Sequence, residues 1–512
     1  MALALVLAAL SGFIALSYEV LWFRLVSFVS QGTAAAFGLA LGAYLLGLAG
    51  GALLSVRYRQ AAGTHDRRQL RAVAAFGVAS NVVAFLVAPA MAFAVGHVHW
   101  ALTLPIVAFA ALLLGANFPL LCHFGVAPDD RAGAGLSYLY LANIVGSAAG
   151  SLLTGFVLMD HLPFAQITLI LVVTGLTTSA VTLALSRLGR KALLGWLNGV
   201  VVATLLVLAA APTLYTQIWA RLYFKQDFGP DTHFSEVVEN KSGVITVTPD
   251  GRIFGGGAYD GKFDVDVKDW DWIVRPYALS AFHPAPRRVL MFGLSSGAWA
   301  QILAHNPEVE HLTVVEINPG YLDLIPRHPN VASLLDNPKV DLVIDDGRRW
   351  LRAHPDARFD AIVFNVTHSW RAFSSNVLSV EFLESIRRHL APGGVYFYNT
   401  TWSKDAMATA LRVFPHTLMV VNSLAVSDQP LAVDKARWRD VLARYTLDGR
   451  RLFDPDSPID QLRLDEIVNL VDTMGHDLET DIRFLDRAQI EARAREGRVI
   501  TDDNMITEYG FL

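Results

Sequence analysis

One cysteine occurs in the 512 residues, Cys122, and it lies inside an apolar stretch, so a disulfide framework and a thiolate metal site within one chain are both excluded. No long basic run is present and the formal charge is −5, which leaves nothing to track a phosphate backbone; nucleic acid is not expected as a partner. Charge is also scarce over a whole region. Between Met1 and Pro212 few ionisable residues occur outside short basic clusters, whereas nearly all the Asp, Glu, Lys and Arg lie beyond Tyr215. With 53% apolar residues and a mean hydropathy of +0.37, the chain is too apolar for one aqueous environment. The first region is therefore expected in lipid and the second in water.

Seven apolar segments fill the first region, near residues 3–27, 33–55, 72–95, 100–124, 134–158, 164–186 and 192–212. Crossing a hydrocarbon layer about 30 Å thick takes roughly 20 residues of helix, and so many segments of this length are not a signal peptide. Gly38, Gly42, Gly47, Gly50 and Gly51, and again Gly146, Gly150 and Gly155, predict a packed bundle, because small residues let helices approach where lipid offers no hydrophobic drive. Glu19 and Arg24 in the first segment form an internal ion pair or snorkel to an interface. Asn117, Asn143 and Tyr140 make interhelical hydrogen bonds or line a substrate path.

Arginine and lysine fall in alternate loops: Arg57, Arg59, Arg67, Arg68 and Arg71 in 56–71, Arg131 in 126–133, and Arg187, Arg190 and Lys191 in 187–191. The positive-inside rule makes those loops cytoplasmic, and seven spans then put the water-soluble part outside. A cytosolic nucleotide ligand would put it inside, so the two expectations conflict.

Past residue 235 the text changes. Short β-prone runs around Pro249-Asp250-Gly251 predict a small hairpin region. From Arg288 the order becomes strand (288–292), glycine turn (Gly293 to Gly297) and helix (298–305). Further strands end on Glu316, on Asp345-Asp346-Gly347 and on Asn365. Strands alternating with helices predict a doubly wound, mainly parallel Rossmann-like sheet, whose ligands sit at the carboxyl ends of the strands. Gly293, Ser295 and Gly297 let backbone approach a ligand at a helix N-terminus. Glu316, 23 residues after Gly293, is placed to accept both hydroxyls of a ribose, and Asp346 to accept the amine of an adenine. Singly, a strand-end acid is more often a helix N-cap. Together they predict an adenosine-type ligand.

The run Phe282-His283-Pro284-Ala285-Pro286-Arg287-Arg288-Val289-Leu290, the glycine turn, Val315-Glu316-Ile317 and Asp345-Asp346-Gly347 resemble spermidine synthases and related aminopropyltransferases. The whole chain resembles their membrane-fused relatives. The matching phrases are Ser11-Gly12 through Tyr18-Glu19 and Trp22 to Arg24, Gly115-Ala116-Asn117-Phe118-Pro119, Tyr140 through Asn143 to Gly146, and Ile500-Thr501-Asp502-Asp503-Asn504 to Glu508-Tyr509. The resemblance implies a class I methyltransferase-type domain binding S-adenosylmethionine or decarboxylated S-adenosylmethionine through Gly293, Ser295, Gly297, Glu316, Asp345, Asp346, Gly347 and Asn365. In that family a carboxylate pair at the fourth strand end helps deprotonate the attacking amine and hold the polyamine. Here the text is Asn365-Val366-Thr367-His368-Ser369-Trp370, and Asp271-Trp272-Ile273 replaces a Tyr-His-Glu phrase upstream. Both departures imply an acceptor other than a standard polyamine.

The residues left to act as base are His368, whose imidazole titrates near neutrality, and Asp260 in Tyr259-Asp260-Gly261-Lys262. Trp270, Trp272 and Trp370 are placed either to cage a cation or to fill a core. Asp502, Asp503 and Glu508, in the polar tail, either approach the site or, as charge runs usually do, form a wet face, which is the expectation. The expected organisation is a helical bundle (1–212), a linker with a small β region (213–285), a nucleoside-binding domain (286–430) and a helical cap (431–512). The expected function is a membrane-bound alkyl transferase of aminopropyltransferase type. A methyltransferase, and a non-catalytic adenosine-ligand sensor or transporter, remain open beside it. The expected partners are a small-molecule substrate and the lipid bilayer, with a homo-oligomer allowed, and the expected location is the inner cell membrane with the soluble domain cytoplasmic.

Overall fold

The computed structural model describes residues 1–58, 67–269, 272–365 and 368–509. Trp270, Asp271, Val366, Thr367 and part of the first basic loop, with Arg59, lie outside the described residues. Two compact units are present, one of residues 1–249 with 256–258, the other of residues 250–255 with 259–512.

Among the described residues of the first unit, seven helices are long and apolar enough to cross a membrane: α1 (Ala2–Val29), α2 (Ala35–Tyr58), α3 (Leu70–Ala94), α4 (Trp100–Gly125), α5 (Ala132–His161), α6 (Phe164–Leu185) and α7 (Arg190–Tyr215). Glycine decides the pairing of α1 with α5. A Cβ on Gly146 would lie 1.9 Å from the carbonyl oxygen of Ala9, so no larger residue fits that crossing. Asn143 seals the same pair by donating to the Ala8 carbonyl at 3.0 Å, and Thr154 donates to Ser17 at 2.9 Å. Gly38 on α2, in contrast, meets nothing within 4 Å. Gly146→Leu should therefore destabilise the bundle by more than about 3 kcal/mol, as overpacking against backbone does. Gly38→Leu should leave it unchanged. Thermal unfolding of the two purified variants in detergent tests the contrast.

A hairpin of β1 (Glu236–Asn240) and β2 (Gly243–Val247) belongs to this unit and ties down helix ends. The Glu239 carboxylate accepts from the Phe164 N–H at the start of α6 (2.8 Å) and from the Trp219 indole (3.0 Å). Arg24 donates to the carbonyls of Asn240 (2.5 Å) and Lys241 (3.2 Å), so its partners are turn carbonyls rather than Glu19.

The second unit is built on an eight-stranded sheet. Its parallel part runs in the order β7 (Val340–Ile344), β6 (His311–Glu316), β5 (Arg288–Phe292), β8 (Phe359–Phe364), β9 (Leu390–Asn399). Antiparallel β11 (Ser423–Ser427), β10 (His416–Val420) and the short strand Phe484–Leu485 complete it. Runs such as Val289-Leu290-Met291-Phe292 are buried throughout, as expected for strands covered on both faces. The crossover helix Val380–His389 is amphipathic and capped. In Val380–His389, Ser379 accepts the Phe382 N–H at 3.2 Å, Phe382, Leu383 and Ile386 point into the core, and Arg387, Arg388 and His389 close the negative end. From β5 the chain winds outward through β6 and β7, then returns to the other side of β5 as β8. The strand order reverses between β5 and β8, and in such sheets ligands sit at the carboxyl ends of the strands at that point.

Candidate functional site

Gly293 follows β5 at the switch point, with φ +80°, and its N–H donates to the Val315 carbonyl at 2.9 Å. Gly297 has φ +74° and opens the helix Ala298–His305. Between them Ser295 takes φ +50°, unusual for a residue with a Cβ and typical of backbone strain held at functional sites. What holds it is its hydroxyl, which donates to the Asp260 main-chain oxygen at 2.6 Å.

Asp260 lies on the short strand Ala258–Lys262. Its Oδ2 accepts the Tyr321 hydroxyl at 2.5 Å. Desolvation by burial pushes its pKa up, and the Tyr321 hydrogen bond, Arg371 and His368 work against that rise. A Cβ on Gly255 would stand 2.5 Å from the Tyr321 oxygen and 3.3 Å from Asp260 Oδ2, so that glycine makes room for the pair. Tyr321 itself is buried, and burial beside the charges of Asp260 and Glu316 raises its pKa well above the usual phenol value; it stays a donor.

Glu316 ends β6 and is 3% exposed. Its two oxygens accept the Leu294 N–H (2.5 Å) and the Asn318 N–H (2.7 Å), which fixes both the glycine turn and the turn after β6. Burial pushes its pKa up to about 7, and the nearby Asp260 charge adds to the rise. A carboxylate has about four acceptor positions. With the Ile317 N–H as a third backbone donor, one position remains.

The other strand ends divide by role. Asp346 caps the helix Gly347–Ala353, its Oδ1 accepting the Arg349 N–H at 2.8 Å. Asp345 Oδ1 accepts its neighbour's N–H (2.6 Å) and Arg349 Nε (2.5 Å). Gly347 sits where a Cβ would be 2.8 Å from the Phe292 ring. Asn365, past β8, accepts from the Asn399 amide at 3.2 Å. His368 stacks on Trp370 at 5.1 Å between ring centroids, and burial followed by the Arg371 charge lowers its pKa while Asp260 opposes the drop. It is held as the neutral imidazole, a proton acceptor. Trp272 has φ +59° and its carbonyl accepts Arg275 Nε at 2.9 Å.

Asp260, Ser295, Glu316 and His368 thus interact as one electrostatic group. Tyr321 and Arg371 join it although sequence reasoning passed over both. The Gly255-Gly256-Gly257 triplet was the available signal for Tyr321, since it marks a close approach; Arg371 had none beyond its place in the His368 loop.

The expectation of a wet face holds for Asp502 and Asp503, which are exposed, and is corrected for Glu508. Glu508 is 3% exposed and accepts the N–H groups of Phe373 and Ser375, both at 2.9 Å, anchoring the loop that carries His368. Asp502 accepts a two-pronged bond from Arg348 (3.0 and 2.8 Å) and the Ser379 hydroxyl at 2.6 Å. Local polarity in the sequence could not reveal partners more than 120 residues away. Glu508→Ala leaves two N–H groups without acceptors, so a loss of about 2–4 kcal/mol is expected. Thermal unfolding measures it.

Residues 278–422 match the family model described as the spermine/spermidine synthase domain. The second unit carries a spermine/spermidine synthase domain. Among curated relatives, polyamine aminopropyltransferase 1 of Streptomyces coelicolor is 27% identical over 383 residues, covering 69% of this chain and 70% of that protein. Polyamine aminopropyltransferase 2 of the same organism is 29% identical over 299 residues, covering 55% and 52%, so the chain spans about half the length of that relative. Spermidine synthase from Thermotoga maritima superposes at a TM-score of 0.32 with 17% identity, over 44% of this chain and 84% of that one. Within the synthase domain, the matched segment holds the glycine turn, Glu316, Tyr321, His368 and Arg371, while Asp260 precedes it.

Proposed function

We propose that the protein is a membrane-bound alkyl transferase whose synthase domain binds S-adenosylmethionine or decarboxylated S-adenosylmethionine and delivers an alkyl group, of aminopropyl type, to an acceptor other than a standard polyamine. The observation that carries this reading is the Asp260–Tyr321 hydrogen bond standing beside Glu316, His368 and Arg371. The donor set fits the nucleoside: a buried carboxylate with an acceptor position to spare at the end of β6, next to a turn that carries three positive-φ residues. Asp345, Asp346, Gly347 and Asn365 border the base side of the same site in this reading.

A sulfonium supplies an activated carbon, whose bond to sulfur breaks with the electron pair staying on sulfur as the bond to the acceptor forms. The chain's task is then positioning and removal of one proton. His368, neutral through burial and Arg371, takes the proton from the attacking nitrogen. Asp260, oriented by Tyr321, holds the donor N–H of the acceptor. With both carboxylates of the strand-end pair replaced, Asp260 is the one counter-charge beside the acceptor, so the acceptor carries one amine. The bundle places this chemistry at a membrane, and the synthase domain faces the cytoplasm, where the nucleoside is made; a reporter fused at Leu512 that is active outside the membrane would overturn that side.

The purified full chain incubated with either nucleoside and a series of monoamines is expected to release methylthioadenosine from the decarboxylated form, or S-adenosylhomocysteine if a methyl group moves instead. Binding without either product identifies a sensor. No binding of either nucleoside would overturn the proposal altogether.

A further inference from the structure

A second site, unconnected with the synthase domain, lies inside the helical bundle. A cavity of about 40 Å³ opens between α1, α3, α4 and α6, partway along each helix. That volume accepts about three waters or one compact polar group. Its polar wall consists of Ser11, Asn81, Asn117, Thr178, Ser179 and Thr182. The hydroxyl protons of the α6 residues are already committed: Thr178 donates to the Thr174 carbonyl (2.8 Å), Ser179 to Gly175 (2.8 Å) and Thr182 to Thr178 (2.8 Å). Their oxygens therefore face the cavity as acceptors. Asn81 spends a proton on the Gly77 carbonyl at 2.8 Å. The carbonyl oxygens of Asn81 and Asn117 have no hydrogen-bond partner, although the two side chains are only 4% and 7% exposed.

Two orphaned acceptors in one buried cavity are costly in lipid unless a donor or cation occupies it. The surrounding helices are shaped for this. A Cβ on Gly175 would overlap the Asn81 carboxamide, 1.9 Å from its Oδ1. Helix α4 is interrupted at Ala116, immediately before Asn117, because Pro119 cannot donate to the Gly115 carbonyl. Interrupted spans beside buried polar groups are where membrane bundles bind small solutes.

We infer that this cavity is a binding site for a compact monocation, an alkali ion or a primary ammonium head group. Neutral oxygen dipoles suffice to replace the hydration of a single positive charge. No acidic side chain lines the cavity among the described residues, which disfavours a dication.

The test uses the full-length protein in detergent, at constant ionic strength, with sodium, potassium, methylammonium or choline chloride. A saturable rise in the unfolding temperature with one of the first three, relative to choline, is expected. Response to an alkali ion alone identifies an ion drawn from water, and response to methylammonium alone identifies an amine head group. Asn117→Ala should weaken the response at least tenfold. Thr182→Val, which removes one acceptor while keeping side-chain shape, should weaken it severalfold even if the Asn117 variant fails to fold. Identical unfolding in all four salts means that the cavity holds water only, and overturns the inference.

Discussion

Asp260→Asn is expected to lower turnover of the sulfonium substrate by about 10²- to 10³-fold, the range lost when a preorganised electrostatic partner of the reacting group is removed. The substitution keeps volume, and an amide oxygen still accepts the Tyr321 hydroxyl, so the unfolding temperature should change little. What disappears is the negative charge coupled to Glu316, His368 and Arg371. Nucleoside release under saturating substrate, compared with nucleoside binding by calorimetry, makes the measurement. Binding should persist while turnover falls; equal turnover in the variant would remove Asp260 from the chemistry and leave it a turn residue. Tyr321→Phe should fall between wild type and Asp260→Asn, because it frees the carboxylate without removing it.

The second large effect concerns Glu316. Its pKa is raised from 4.5 to about 7, so the folded state holds a proton that the unfolded chain has released between those values. The stability this contributes, about 3 kcal/mol, is fully present below pH 4.5 and is lost as the pH rises through about 7. Ligand binding should run the other way. Only the ionised carboxylate keeps its backbone N–H bonds and still accepts from a ribose hydroxyl, so nucleoside affinity should rise about tenfold between roughly pH 6 and 8, the ionised fraction setting the slope. Glu316→Gln should flatten that dependence and weaken binding by about 10- to 100-fold. Calorimetric titration at several pH values reads both. A Gln variant with the wild-type pH profile would show that the titrating group lies elsewhere.

Much of this architecture was legible because its signals are local. Seven apolar stretches became seven helices long and apolar enough to cross a membrane, because length and apolar composition can both be read directly along the chain. The alternation of strand, glycine turn and helix from Arg288 onward became the parallel sheet, because a buried strand and its crossover each carry their own periodicity. Gly293, Ser295, Gly297 and Glu316 could be placed at strand ends for the same reason. Asn143 was legible as an interhelical bond, and Asn117 was not: which asparagine finds a carbonyl depends on how helices cross, and the sequence states only that both are polar in apolar surroundings.

The sequence by itself determined the division into an apolar helical region and a polar α/β region, the first four parallel strands, and the order of acids along their ends, since each depends on residues within one turn or one strand of each other; it did not mark β9, β10 or β11. Tertiary structure alone decided that Tyr321 closes on Asp260 across 61 residues, that Glu508 anchors the His368 loop from the far end of the chain, and that Arg24 serves a β-turn instead of Glu19. These are contacts between polar groups distant in sequence. Hydrophobic periodicity carries no record of them, because a hydrogen bond depends on where two atoms meet and not on what surrounds either in the chain.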